Sequence, residues 1–192
     1  MLFRSLSRLR VPYRLEFLGD GREAPWLKQQ LAHEPSVVFH GPKSGDEYWR
    51  ILSGWDASVC VSDFEGTPIS VVEGMSRGVL PIFPRIPSDA VEYASRLNMD
   101  LVYEAGDMRA AACAVDRLRR RPASDWARAR AEAPRPVQPH LGSAYFDGFR
   151  HFASQLQRLP RLSETVARPR PFFWTDYLPL GLLARAAPSA LG

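Results

Sequence analysis

Hydrophobic positions along the first 121 residues follow two spacings in turn. Leu2, Phe3, Leu6 and Leu9 recur at helical spacing over residues 2–10, and residues 13–18 read as a strand with Leu15 and Phe17 turned inward. Gly19-Asp20-Gly21 turns the chain into a helix over about 22–33, and a strand follows at 37–40. Pro42-Lys43-Ser44-Gly45 is a loop, leading to a short helix near 46–53. The apolar run at 57–62 predicts a buried core strand, followed by a helix at 68–77 and a strand at 79–83. Pro84-Arg85-Ile86-Pro87 breaks the pattern. Ser88 or Asp89 caps a helix to about Ser95, Leu101-Val102-Tyr103 forms a last strand, and Asp107 caps a helix to about Arg121. Strands alternating with helices predict an α/β fold, a Rossmann-like parallel sheet with helices on both faces. Ligands in such sheets sit beyond the carboxyl ends of the strands. The loops at Gly19–Gly21, Gly41–Gly45 and Phe64–Thr67 all follow strands and should therefore line one edge.

The pattern changes after Arg121, which divides the chain into residues 1–121 and 122–192. Residues 122–140 are rich in Pro, Ala and Arg and read as a linker or loose connection. Residues 142–159 read as a helix with Tyr145, Phe146, Phe149, Phe152, Leu156 and Leu159 on one face, an aromatic stripe of the kind more often found in a core. Residues 160–192 form a Pro-rich tail around the run Phe172-Phe173-Trp174-Thr175-Asp176-Tyr177-Leu178-Pro179-Leu180. Two readings of this tail are an interfacial membrane contact flanked by Arg168, Arg170 and Arg185, and a poorly ordered end.

Composition narrows the function classes. At 192 residues, with 45% hydrophobic and 24% charged positions, the chain can bury a substantial core and belongs with ordinary soluble proteins. A net charge of +4 suits anionic ligands or an anionic membrane surface but is too small to argue for nucleic acid. Cys60 and Cys113 lie in a strand and a helix pattern with no disulfide framework, which points to a reducing, cytoplasmic setting. The histidines at 33, 40, 140 and 151 show no metal-ligand spacing, and no apolar run approaches the ~20 residues that span a bilayer.

Candidate chemistry concentrates at residues 65–78. Thr67 is a good helix N-cap, Pro68 suits the first helical position, and Gly78 suits the stop. A helix N-terminus offers unpaired N–H groups and partial positive charge to a phosphate. The carboxylates Glu65 and Glu73 accept hydrogen bonds from hydroxyl-rich ligands such as sugars and ribose. Together they fit a nucleotide sugar. Spacing alone equally describes a solvated helix residue and a loop charge, and favours that plainer account.

Glu65-Gly66-Thr67-Pro68-Ile69-Ser70-Val71-Val72-Glu73 resembles the E-x7-E motif of retaining glycosyltransferases, family 4 in particular. Four further segments match in order over roughly residues 13–105. Phe17-Leu18-Gly19-Asp20-Gly21 resembles the family's strand ending in G-D-G, and Val37-Val38-Phe39-His40-Gly41 its V-x-F-x-G segment. Asp56–Ser62 resembles the strand before the motif, and Gly78-Val79-Leu80-Pro81-Ile82 the G-x-P-V/I segment after it. The resemblance implies the C-terminal half of a GT-B fold, which holds the nucleotide diphosphate sugar donor. It implies transfer of the glycosyl group with retained configuration, without a cofactor or, in most such enzymes, a metal. Glu65 would contact the transferred sugar as the catalytic residue and Glu73 the ribose. Gly66, Thr67 and Ile69 would border the sugar and phosphates, whereas Pro68 has no N–H to donate. His40 and Gly41 would lie near the base, and Gly19 and Gly21 at the cleft edge. His40 reads equally as a satisfied strand-end histidine.

The chain also departs from the family. Family members carry a strand before the 2–10 helix, with a G-R segment and a Lys that clamp the pyrophosphate. Neither is present, nor is an acceptor domain, and Lys43 and Arg85 do not match the clamp positions. The expectation is a truncated donor half, weak or inactive alone, with an exposed sheet neighbour where the strand is missing. Its partners would be a nucleotide sugar and a separate acceptor-domain chain, with peripheral contact at the inner membrane face as a further candidate. The tail gains a third reading, docking across the other domain. The rivals are a non-catalytic sugar-nucleotide-binding module and a nucleotide-sugar epimerase, for which no acid–base residues are evident.

Overall fold

The computed structural model describes residues 2–8 and 12–156. The elements run α1 (Leu2–Arg8), β1 (Leu15–Leu18), α2 (Ala24–Gln30), β2 (Val37–Gly41), α3 (Gly45–Ser53), β3 (Ala57–Val59), α4 (Ile69–Ser76), β4 (Leu80–Arg85) and α5 (Asp89–Arg96). They continue with β5 (Val102–Glu104), α6 (Met108–Arg119), α7 (Ala123–Glu132), α8 (Pro134–Val137), a 3-10 turn at Gln138–His140, and α9 (Gly142–Leu156). Contacts divide the chain into two compact units, Met1–Gly148 and Phe149–Gly192. The second contributes only the end of α9 to the described residues. The aromatic run at 172–180 lies outside them, and so do the three readings of the tail.

All strand pairs are parallel, as the alternating pattern predicts, but they form two sheets, β1–β2 and β3–β4–β5. The core surrounds β4, where Leu80, Ile82 and Phe83 are fully buried beside Met75, Met99, Leu101 and Leu118. Helices α4, α5 and α6 pack on β4. α8 packs on α4 and α5, and α1 packs on α6. The latter pair encloses a small separate cluster of Leu6 and Ala112, bordered by Leu2, Tyr13 and Val115.

The expected break at Pro84 does not occur, and β4 continues to Arg85. The stagger of its neighbours explains this. β3 pairs with residues 80–82 and β5 with residues 83–85. Leu80 donates its N–H toward Asp56 on the β3 side, and Phe83 donates toward Leu101 on the β5 side. Alternation then turns position 81 toward β5 and position 84 toward β3. Each proline thus lies where no partner strand needs its missing N–H.

The predicted linker is a second correction. Residues 123–140 are helical, and Ala129, Ala133 and Val137 are buried in the main core. These positions recur every four residues and form one narrow stripe, hidden in the sequence by the small side chains and the surrounding Pro and Arg. Trp126 donates to the Leu118 carbonyl at 3.0 Å, and Arg130 pairs with Asp56 at 3.1 Å, so the segment is fastened to both α6 and the start of β3. The α9 stripe corrects the expectation in the opposite sense. Tyr145, Phe146, Phe149 and Phe152 are 54%, 60%, 60% and 55% exposed, so they are surface residues rather than core. Among the described residues no helix is long and apolar enough to cross a membrane.

Candidate functional site

The segments at the carboxyl ends of the strands are linked in two pairs, that after β1 with the end of β2 and that after β3 with the start of α5. Gly19 donates its N–H to the Gly41 carbonyl at 2.9 Å, joining the first pair. Both glycines have positive φ, +125° and +69°, backbone that a side chain would strain. Asp20 Oδ1 accepts from the Gly21 N–H at 2.8 Å, holding the turn between the glycines.

The 65–73 segment begins as exposed loop and ends as helix. Glu65 is partly buried, Gly66, Thr67 and Ile69 are exposed, and Pro68 is buried. Thr67 does not cap α4. The N-cap is Pro68, in an extended conformation, and among the described residues no side-chain cap closes the helix's first turn. Thr67 Oγ1 instead donates to Asp89 Oδ2 at 2.9 Å, and Ser88 Oγ donates to the Gly66 carbonyl at 2.5 Å. Two hydroxyls therefore pin the motif loop to the start of α5. The amide end of α4 is left without a side-chain cap, an arrangement that favours an anion.

Each motif carboxylate is held by one protein hydroxyl. Ser62 Oγ donates to Glu65 Oε1 at 2.7 Å, and Tyr48 Oη donates to Glu73 Oε2 at 2.5 Å. Among the described residues, the remaining oxygen of each carboxylate accepts no hydrogen bond, so each can still accept one from a ligand hydroxyl. Burial, and then the hydrogen bond to Glu73, push the Tyr48 phenol up to about 12, which keeps it a donor throughout the physiological range.

His40 is already engaged. Its Nε2 lies 2.7 Å from Glu16, whose carboxylate also accepts from Trp55 at 3.1 Å and Arg14 at 2.6 Å. Burial opposes ionisation of Glu16, but the donors His40, Trp55 and Arg14 outweigh it and hold the carboxyl below its usual range. Trp55 thus acts as a polar strut as well as a packing residue. Lys43 pairs with Glu47 at 2.9 Å and Arg85 with Glu104 at 2.8 Å, so both cations already have acidic partners. Tyr48, Ser62 and Asp89 carried no signal as site residues in the sequence. Ser88 was legible only as a helix cap, a role it fills by accepting from the Ala90 N–H at 3.3 Å. Among the described residues, no group of three or more His, Cys, Asp or Glu is placed to hold a metal. A concavity of about 490 Å³ lined by Arg85, Asn98, Asp100 and Arg117 contains none of the motif residues.

Residues 1–121 match the family described as glycosyl transferases group 1. The chain belongs to this family. No curated protein matches the sequence. Among solved structures, this glycosyl transferase domain is similar to the catalytic domain of cholesterol-alpha-glucosyltransferase from Helicobacter pylori. The TM-score is 0.57 at 16% identity, over 73% of this chain and 89% of that one. At this identity the likeness establishes the fold, a Rossmann-like domain of the GT-B type. Parallel strands flanked by helices, and a helix at the C-terminal end of the described chain, agree with the sequence-based expectation.

Proposed function

We propose that this group 1 glycosyl transferase domain is the donor-binding part of a retaining, family 4-type enzyme. It binds a nucleotide diphosphate sugar and presents the glycosyl group to an acceptor. The observation that carries this reading is that each motif glutamate is held through one carboxylate oxygen by a protein hydroxyl, on a segment whose helix start has no side-chain cap. Glu65 and Glu73 each keep one carboxylate oxygen available, and the exposed Gly66–Ile69 backbone lies between them in sequence at the start of α4. A diphosphate suits the α4 amides, and hydroxyls on either side of it suit the carboxylates. In this reading Glu65 faces the transferred sugar and Glu73 the ribose, with Gly19 and Gly21 in the loop after β1 and His40 and Gly41 at the end of β2.

Transfer then requires an acceptor domain, supplied by a partner chain or by a longer polypeptide, and the domain alone turns over slowly or not at all. Among the described residues, β1, β2, β3 and β5 each pair on one side only, and a further strand between β1 and β3 would cover two of these four edges. Lys43 and Arg85 are ion-paired and are weak candidates for a pyrophosphate clamp, which again favours weak binding. Isothermal titration of the full chain with UDP-, GDP-, ADP- and dTDP-sugars tests the proposal. Micromolar to millimolar binding by at least one donor is expected, with loss of that binding in Glu73→Ala. Unchanged binding in the variant would leave the motif a structural role only, and rapid turnover by the isolated chain would overturn the requirement for an acceptor domain.

A further inference from the structure

Tyr48 lies outside the motif, on a helix that follows a different strand, yet it makes the one protein hydrogen bond described to the Glu73 carboxylate. Its ring is itself held. Trp49 meets it edge-on, with centroids 5.1 Å apart at 79°, and the Arg77 guanidinium lies 4.8 Å from the centre of the Trp49 ring. Glu73 and Arg77 are four residues apart, so they occupy neighbouring turns on one side of α4. The consecutive residues Tyr48 and Trp49 therefore grip α4 at two points. A carboxylate on an otherwise free side chain would rotate among several wells. Here a donor at 2.5 Å selects one of them.

We infer that Tyr48 is the positioning residue of the donor site: its hydroxyl holds Glu73 through Oε2 and leaves Oε1 set to accept a ribose hydroxyl. The inference rests on the donor-site reading above and adds to it the residue that fixes the ribose-binding carboxylate. With its ionisation pushed up to about 12, the phenol stays protonated through the neutral range, so the hold does not switch there. Order in the free site matters because a ligand that must first immobilise its acceptor loses part of its binding free energy to that step. Tyr48 makes the carboxylate ready before the ligand arrives.

The test compares the full-length wild type with Tyr48→Phe, Glu73→Ala and the double variant. Titration with UDP, GDP, ADP and dTDP measures nucleotide affinity, and thermal unfolding measures stability. Phe keeps the ring and its contact with Trp49 but removes the donor. The expected result is a roughly tenfold loss of affinity in Tyr48→Phe, about 1.4 kcal/mol, with the melting temperature lowered by only the few degrees that one partly exposed hydrogen bond is worth. In the Glu73→Ala background the same change should have no further effect on affinity, because a residue acting through Glu73 then has nothing to act on. Wild-type affinity in Tyr48→Phe, alongside lost affinity in Glu73→Ala, overturns the inference and leaves the donor site standing. Losses of affinity in Tyr48→Phe and Glu73→Ala that add in the double variant reduce Tyr48 to a helix tie and also overturn it. Absence of nucleotide binding by the wild type removes the donor site and the inference together.

Discussion

Ser88 makes two hydrogen bonds that can be separated by substitution. Its Oγ accepts from the Ala90 N–H, capping α5, and donates to the Gly66 carbonyl, tying down the motif loop. Replacing it with Ala removes both. Loss of an N-cap costs about 1 kcal/mol, and loss of a partly exposed neutral hydrogen bond about 1 kcal/mol more. With roughly 2–4 °C of melting temperature per kcal/mol for a domain of this size, Ser88→Ala should melt about 4–8 °C lower. Ser88→Asp separates the roles. A carboxylate is as good a cap as a hydroxyl, but it has no proton to give the Gly66 carbonyl and repels it. The Asp variant should therefore recover about half of the lost stability while its motif loop stays released. Backbone nitrogen-15 relaxation at Gly66 and Thr67 reads the loop without any ligand and should show greater mobility in both variants. Titration with nucleoside diphosphates should show weakened binding in both. Unchanged relaxation at Gly66 and Thr67 in both variants would refute the claim that Ser88 pins the loop. Equal destabilisation by Asp and Ala would refute the division of its roles.

Val137 is fully buried in a segment whose composition resembles a linker, so Val137→Ala should cost about 2 kcal/mol from lost methyl burial and the cavity left behind. Urea unfolding followed by far-UV circular dichroism measures this, and a change near zero would return residues 122–140 to a loose connection. Glu16 predicts a pH dependence. Its folded pKa lies below the ordinary 4.5, so its contribution is present at neutral pH and is lost as pH falls below about 4.5 toward the folded value. Glu16→Gln should flatten that acid limb in unfolding experiments between neutral pH and about pH 3, whereas an unaltered limb would remove Glu16 as its source.

The first 121 residues announce their fold because local signals agree with tertiary packing there. Asp107 accepts from the Ala110 N–H at 2.8 Å at the predicted start of α6, and Ser88 caps α5, one of the two residues expected to do so. Alanine carries little hydrophobic signal, and the prolines at 134, 136 and 139 read as breakers although Pro134 opens α8. The stripe at Ala129, Ala133 and Val137 was therefore invisible. The α9 aromatics erred the other way, since periodicity shows that one face is apolar but not whether anything covers it. Thr67 misled for a local reason. Pro68 takes the cap position, which frees the Thr67 hydroxyl for Asp89, a partner that no short-range rule supplies.

The candidate site is organised by bonds that span the sequence rather than by the motif itself. Tyr48–Glu73, Thr67–Asp89 and the Ser88 bond to Gly66 link positions 25, 22 and 22 residues apart. Each joins the segment after one strand to the segment after another, helix α3 to α4 in the first case and the motif loop to the start of α5 in the other two. The contributing side chains are at least partly exposed, and each bond stabilises the fold by only about 0.5–1.5 kcal/mol. Against the buried surface around β4 and α8 that is little. For a site made of two carboxylates and a helix start it decides where every acceptor stands. Substitutions at these ties should therefore separate ligand affinity from stability, and substitutions such as Val137→Ala should change stability while leaving the site's hydrogen bonds in place. A candidate site assembled this way can be retuned one tie at a time without endangering the core that carries it.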